Sequence, residues 1–193
     1  MRALADAIRA APRLAHADLH LALAAEALGD VETAVHRHQL SLSATRENGD
    51  RTHAVASLQR IGVLHCQIGD PAAALPWLAQ AQTVYQALED AGGECVAASH
   101  AALCQARLGQ TTQAESTVVR LLERLQGKLA AYPAHETIEL RWTCYRVLEA
   151  RADAQTRATE LTDATDRERL IQDLPVFRDI VAAHGRRGRQ LPR

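Results

Sequence analysis

Apolar residues recur at three- and four-residue steps along most of the chain, and the steps are interrupted at regular places. Leu58, Ile61, Leu64 and Ile68 make one such series, and Leu75, Leu78, Ala81 and Leu88 make another. This spacing gathers apolar groups on one side of an α-helix and leaves polar groups on the other. The interruptions are built from glycine and acid. Gly29, Gly69 and Gly109 stand 40 residues apart, each preceded by Leu28, Ile68 or Leu108 and followed by Ala34, Ala74 or Ala114. A second set of breaks falls between them, "NGD" ending at Asp50 and "LED" ending at Asp90.

Glycine adopts the left-handed conformation that ends a helix. Asp30 and Asp70 then cap the next helix by accepting its free N–H groups, and Pro71 sits at a first helical position where no N–H is missed. The predicted unit is a hairpin of two helices of about four turns each. Ala34, Ala74, Ala114 and Gly62 mark where helices cross closely, because only small side chains let backbones approach.

Composition narrows the class. Of 193 residues 47% are hydrophobic but only 3% aromatic, so the apolar content is mostly Ala, Leu and Val, which suits close helix packing and disfavours a sheet. The net charge of −1 gives no global field for nucleic acid or an acidic membrane. The opening "MRALADAIRAAP" fails as a signal peptide because Asp6 and Arg9 interrupt its apolar core. Cys66, Cys95, Cys104 and Cys144 show no CxxC pair, so reduced thiols in a cytosol are expected.

The repeat resembles the tetratricopeptide repeat family. In the middle unit Leu58, Ile61-Gly62, Gly69, Ala74, Leu78 and Ala81 fall at that family's signature positions, with His65 replacing the usual Tyr. The first unit keeps Leu21, Gly29 and Ala34 but has Asp18 and His38 where large apolar groups are usual; the third keeps Ala101-Ala102, Gly109, Ala114 and Val118. The 40-residue period resembles the subgroup with extended second helices. The resemblance implies an all-α, right-handed superhelical array of three to four hairpins with a C-terminal helical cap.

The expected organisation is one solenoid over 1–184, with units at about 13–50, 51–91, 92–130 and 135–165, a cap at 166–184 and a disordered basic tail at 185–193. Gly127 and Pro133 mark the break before the fourth unit. That unit reads as a helix over about Glu136–Arg151, a break near Ala152-Asp153 and a second helix. Ala3–Pro12 reads as the end of an earlier unit's second helix, which points to self-association or to a lost segment. The ending, with Arg167, Leu170, Pro175, Arg178 and Ile180, is similar to the tail closing the repeat arrays of large bacterial signalling proteins. In those, repeats follow an ATPase module joined to a cyclase or a helix-turn-helix regulator. No GxxxxGK[ST] phosphate loop occurs here, so the chain is not that ATPase.

Candidate chemistry is sparse. His16 and His20, and His100 and Cys104, are four apart and could share a metal ion, but no further ligand follows in a recognised pattern. His36 and His38 are two apart and face different ways on a helix. Cys66 adjoins His65, yet neighbouring helical residues do not face each other, and no GxSxG elbow exists. Asp166 and Glu168 suit a solvated helix start. The basic ending "GRRGRQLPR" lacks interleaved aromatics for nucleic acid. No enzyme, cofactor or metal is expected, and neither nucleic acid nor a membrane is an expected partner.

The resemblance places a partner groove on the first helix of each pair. Carried over by position, its residues are His16, Leu19, Leu23 and Glu26; Gln59, Val63, Cys66 and Gln67; Val96, Ser99, Leu103 and Arg107; and Glu139, Trp142, Arg146 and Glu149. Leu19 and Leu23 replace polar groups needed by family members that clamp a C-terminal carboxylate. The expected function is a cytoplasmic protein–protein scaffold related to the sensory arm of bacterial signalling or transcription regulators. The rivals are a small-ligand or peptide-pheromone receptor, and a metal-dependent enzyme using His100 and Cys104.

Overall fold

The structure, a computed structural model, describes residues 2–125 and 134–159. Among them are seven helices and no strand: α1 (Arg2–Ala27), α2 (Val31–Glu47), α3 (Arg51–Gln67), α4 (Pro71–Ala87), α5 (Ala91–Arg107), α6 (Thr111–Leu125) and α7 (Ala134–Thr159). Helices α2 to α5 each have 17 residues. Successive helices start at residues 31, 51, 71, 91 and 111, a spacing of 20. The 40-residue period is thus halved evenly. The extra length over the family's usual repeat of about 34 residues is shared by both arms, and the second helix is not the longer one.

All five turns close the same way. After α1 the Gly29 N–H donates to the Glu26 carbonyl and the Asp30 N–H to the Ala25 carbonyl, at 3.0 and 2.9 Å. The same two bonds end α2 from Gly49 and Asp50, α3 from Gly69 and Asp70, α4 from Glu89 and Asp90, and α5 from Gly109 and Gln110. This double closure requires a left-handed residue at its first position. Gly29, Gly49, Gly69 and Gly109 supply it with φ between 75° and 89°, and Glu89 supplies it at φ 57°. The aspartates work in both directions. Each donates its N–H backward, while its carboxylate accepts the N–H three residues ahead, at Thr33, His53, Ala73 and Gly93.

Each helix packs on the next, α1 on α2 through to α5 on α6, and α7 also packs on α5. The odd-numbered helices form one row and α2, α4 and α6 the other. Small residues set the approach between them. A Cβ on Gly62 would lie 2.7 Å from Leu78 Cγ, so α3 and α4 touch there as the sequence predicts. Ala34, Ala74, Ala81 and Ala114 are fully buried, as are Leu58, Ile61 and Leu78. Burial of each of these large side chains contributes about 2 kcal/mol.

Two expected boundaries are absent. α1 runs unbroken through Pro12, so Ala3–Pro12 is the front of α1 and not the end of a separate helix. α7 runs unbroken through Ala152-Asp153, so no second arm begins there. The physical reason is common to both: neither place has the glycine-type left-handed residue that closes α1 to α5. The expected break at Gly127–Pro133 lies outside the described residues, as do the cap at 166–184 with Arg167, Leu170, Pro175, Arg178 and Ile180, and the tail at 185–193.

Candidate partner-binding face

The side chains expected to line a groove fall into three groups. Leu19, Val63, Cys66, Val96 and Ser99 are buried, so they do not offer a surface to a partner as expected. They fill seams between helices. Val63 and Cys66 pack with Ala74, Leu78 and Cys104, and Val96 packs in the cluster that contains Val118 and Cys144. The Ser99 hydroxyl donates to the Val96 carbonyl at 2.8 Å, which closes it onto its own helix.

A second group ties neighbouring first-row helices together. Glu26 of α1 receives the Arg60 guanidinium of α3, with Nε at 3.1 Å from Oε1. His100 of α5 meets Glu139 of α7 at 2.9 Å. Arg107 of α5 donates to the Cys66 carbonyl of α3 and stands 3.5 Å from its Sγ. His16 of α1 meets Asp50, the cap of α3, at 3.4 Å. Burial pushes the Arg60 guanidinium below its ordinary value, and the negative charge of Glu139 opposes that. Among the described residues these acids and bases meet across neighbouring helices.

The third group remains accessible: Leu23, Gln67, Trp142 and Arg146 are exposed, and Gln59, Leu103 and Glu149 are half-buried. Leu23 and Trp142 expose 42% and 41% of their surface, which is high for large apolar groups. Trp142 stacks on Tyr145 with centroids 5.8 Å apart, and the Arg146 guanidinium lies 6.0 Å from the indole centroid. Arg146 in turn stands 3.6 Å from Glu149.

The first unit's two irregular residues are explained by partners. Asp18 accepts from Arg37 at 2.8 Å. His38 is fully buried, and its Nε2 stands 2.6 Å from Glu26 Oε1, while its Nδ1 has no hydrogen-bond partner. Burial pushes His38 down to about 4. The neutral ring suits the site: Nε2–H donates to the carboxylate, whereas a proton on Nδ1 would be an orphaned buried donor.

The pair proposed for metal chemistry from spacing alone is divided. His100 turns to Glu139, and Cys104 is fully buried beside Cys66. The hydrogen bond from Cys104 lowers the Cys66 thiol to about 7, with burial opposing and the Arg107 charge assisting. Cys104 is pushed up by that same contact and by burial.

Sequence reading missed the ties within each row because their members lie far apart. Three of them, His16–Asp50, Glu26–Arg60 and Arg46–Gln80, share a separation of 34 residues. That is one period less almost two helical turns, and complementary groups at this offset are the signal that finds them.

Two clefts lie elsewhere. One of about 330 Å³ opens among α2, α3 and α4, lined by Thr45, Asp50, Leu58, Gln80 and Val84. Another of about 400 Å³ opens among α4, α5 and α6, lined by Gln86, Glu94, Gln105, Arg120 and Arg124.

Residues 13–87 match a family model described as Tetratricopeptide repeat. The match runs from α1 to the end of α4, and the chain is similar to that family across its first two hairpins. Repeats of this family generally mediate protein–protein interaction and are generally not catalytic. No curated protein matches the chain. Among the described residues no helix is long and apolar enough to cross a membrane.

Proposed function

We propose that this chain is a protein-binding repeat array that takes an extended or helical segment of a partner on its first-row helices. The observation that carries the reading is the sorting of that row. Among the described residues Glu26 pairs with Arg60 and Glu139 with His100 across helices, while Leu23 and Trp142 keep much of their surface exposed. A bulky indole flanked by a guanidinium is a frequent anchor at interfaces, and exposed apolar groups set among polar ones suit an amphipathic segment. The C-terminal sequence resemblance supports reading the array as a non-catalytic repeat arm like those of cytoplasmic bacterial signalling proteins or transcription regulators. The two clefts lie between rows and not along the first-row face, which supports a macromolecular partner over a small ligand.

The test begins with crosslinking and mass spectrometry to identify a partner segment, then measures its affinity by titration. Trp142→Ala and Leu23→Ser each weaken binding, Trp142→Ala by about 30-fold, the effect of removing a buried aromatic anchor. Leu40→Ser and Val119→Ser, at exposed second-row positions, leave it unchanged. The reverse pattern refutes the reading.

A further inference from the structure

Asp50 caps α3, and capping uses only one of its oxygens. Oδ1 accepts the His53 backbone N–H at 3.1 Å. Oδ2 faces two imidazoles, His53 Nδ1 at 2.7 Å and His16 Nε2 at 3.4 Å. The rings stand 4.1 Å apart between centroids, tilted by 39°. One potential ligand atom from each of the three residues lies within 4.8 Å of the others. His16 comes from α1 and the other two from the start of α3, so the cluster spans the seam between the first two hairpins.

The repeat provides an internal control. Asp30, Asp70 and Asp90 cap their helices through the same bond to the third residue ahead, at Thr33, Ala73 and Gly93. None of those residues is a histidine. One period after His16 and His53 stand Ala56 and Gly93, which have no ligand atom. The need for a cap therefore explains the aspartate and leaves both imidazoles unexplained.

We propose that His16, Asp50 and His53 bind one divalent transition-metal ion of the zinc class. Two imidazole nitrogens and one carboxylate oxygen form a donor set suited to ions of borderline softness. In a tetrahedral site with bonds near 2.1 Å, donor atoms stand about 3.4 Å apart. His16 and Asp50 already have that spacing, and the His53 ring withdraws by ~0.7 Å to reach it. Side-chain exposures of 44%, 29% and 40% for His16, Asp50 and His53 leave an entry path and a fourth position for water. The site differs from the one that histidine spacing suggests, because His16 meets Asp50 and His53 across the seam instead of acting with His20 on its own helix. It shares His16 with the positions carried over to the partner face, but metal binding here does not depend on that reading.

The test titrates the purified full chain with Zn²⁺ by calorimetry and with Co²⁺ by visible absorption. One equivalent binds, and the cobalt spectrum shows d–d bands with no thiolate charge transfer, which removes Cys66 and the other thiols as ligands. His16→Ala and Asp50→Asn each weaken Zn²⁺ binding by at least about tenfold, while His20→Ala leaves it unchanged. Asn preserves the helix cap, so loss of binding in Asp50→Asn with unchanged circular dichroism separates a ligand role from unfolding. Failure of the wild-type chain to bind, a thiolate band, or unaltered affinity in His16→Ala and Asp50→Asn overturns the proposal.

Discussion

Glu89 holds φ 57° at the turn between α4 and α5, where the other four turns have glycine. A side chain in that conformation costs about 1 kcal/mol relative to glycine, because its Cβ crowds the following carbonyl. Glu89→Gly therefore raises stability by about 1 kcal/mol, measurable as a higher urea midpoint with unchanged slope. A midpoint that falls would show that Glu89 has contacts outweighing its strain. This residue also shows how far local signals reach. Gly29, Gly69 and Gly109 could be read directly as helix ends. The break at "LED" was legible from Asp90, but nothing in glutamate announces a left-handed backbone. The surroundings impose it, through the carbonyls of Gln86 and Tyr85 that accept the Glu89 and Asp90 N–H groups.

At the scale of elements, three helices meet at one polar knot. Glu26 of α1 receives Arg60 of α3 and stands 2.6 Å from His38 of α2. The folded-state pKa of His38, about 4, lies below the unfolded value of about 6.5. As pH falls through that window the unfolded chain binds the proton first, so stability is complete above about pH 6.5 and declines toward pH 4. The slope is up to about 1 kcal/mol per pH unit, moderated by whatever solvent reaches the ring. Denaturation of wild type and His38→Gln between pH 6.5 and 5 tests this: the variant's stability is flatter across that interval, and parallel curves would contradict the assignment. The hairpins themselves were legible, because their apolar period and their Asp and Gly punctuation are local. The continuity of α1 across Pro12 and of α7 across Ala152-Asp153 was not. A single proline or a polar pair suggests a break, but each of the five described turns, from α1 to α6, is closed by a left-handed residue, which neither place has.

For the molecule as a whole, the 20-residue frame stacks helices so that groups 34 residues apart meet across a row. That geometry divides the candidate site. The residue positions implied by the family resemblance identify the row, but they do not distinguish side chains that fill seams, such as Val63 and Val96, from those left facing solvent, such as Trp142. Side-chain direction depends on how neighbouring helices are rotated against each other, which no single helix encodes. The polar ties were hidden for the same reason, since each needs two helices in register.

The central claim is that the first-row helices hold the partner. Hydrogen–deuterium exchange of the chain, alone and with its captured partner segment, tests it most directly. The account predicts added protection in peptides from α1, α3, α5 and α7, with α2, α4 and α6 unchanged. Protection confined to α2, α4 and α6 would contradict it.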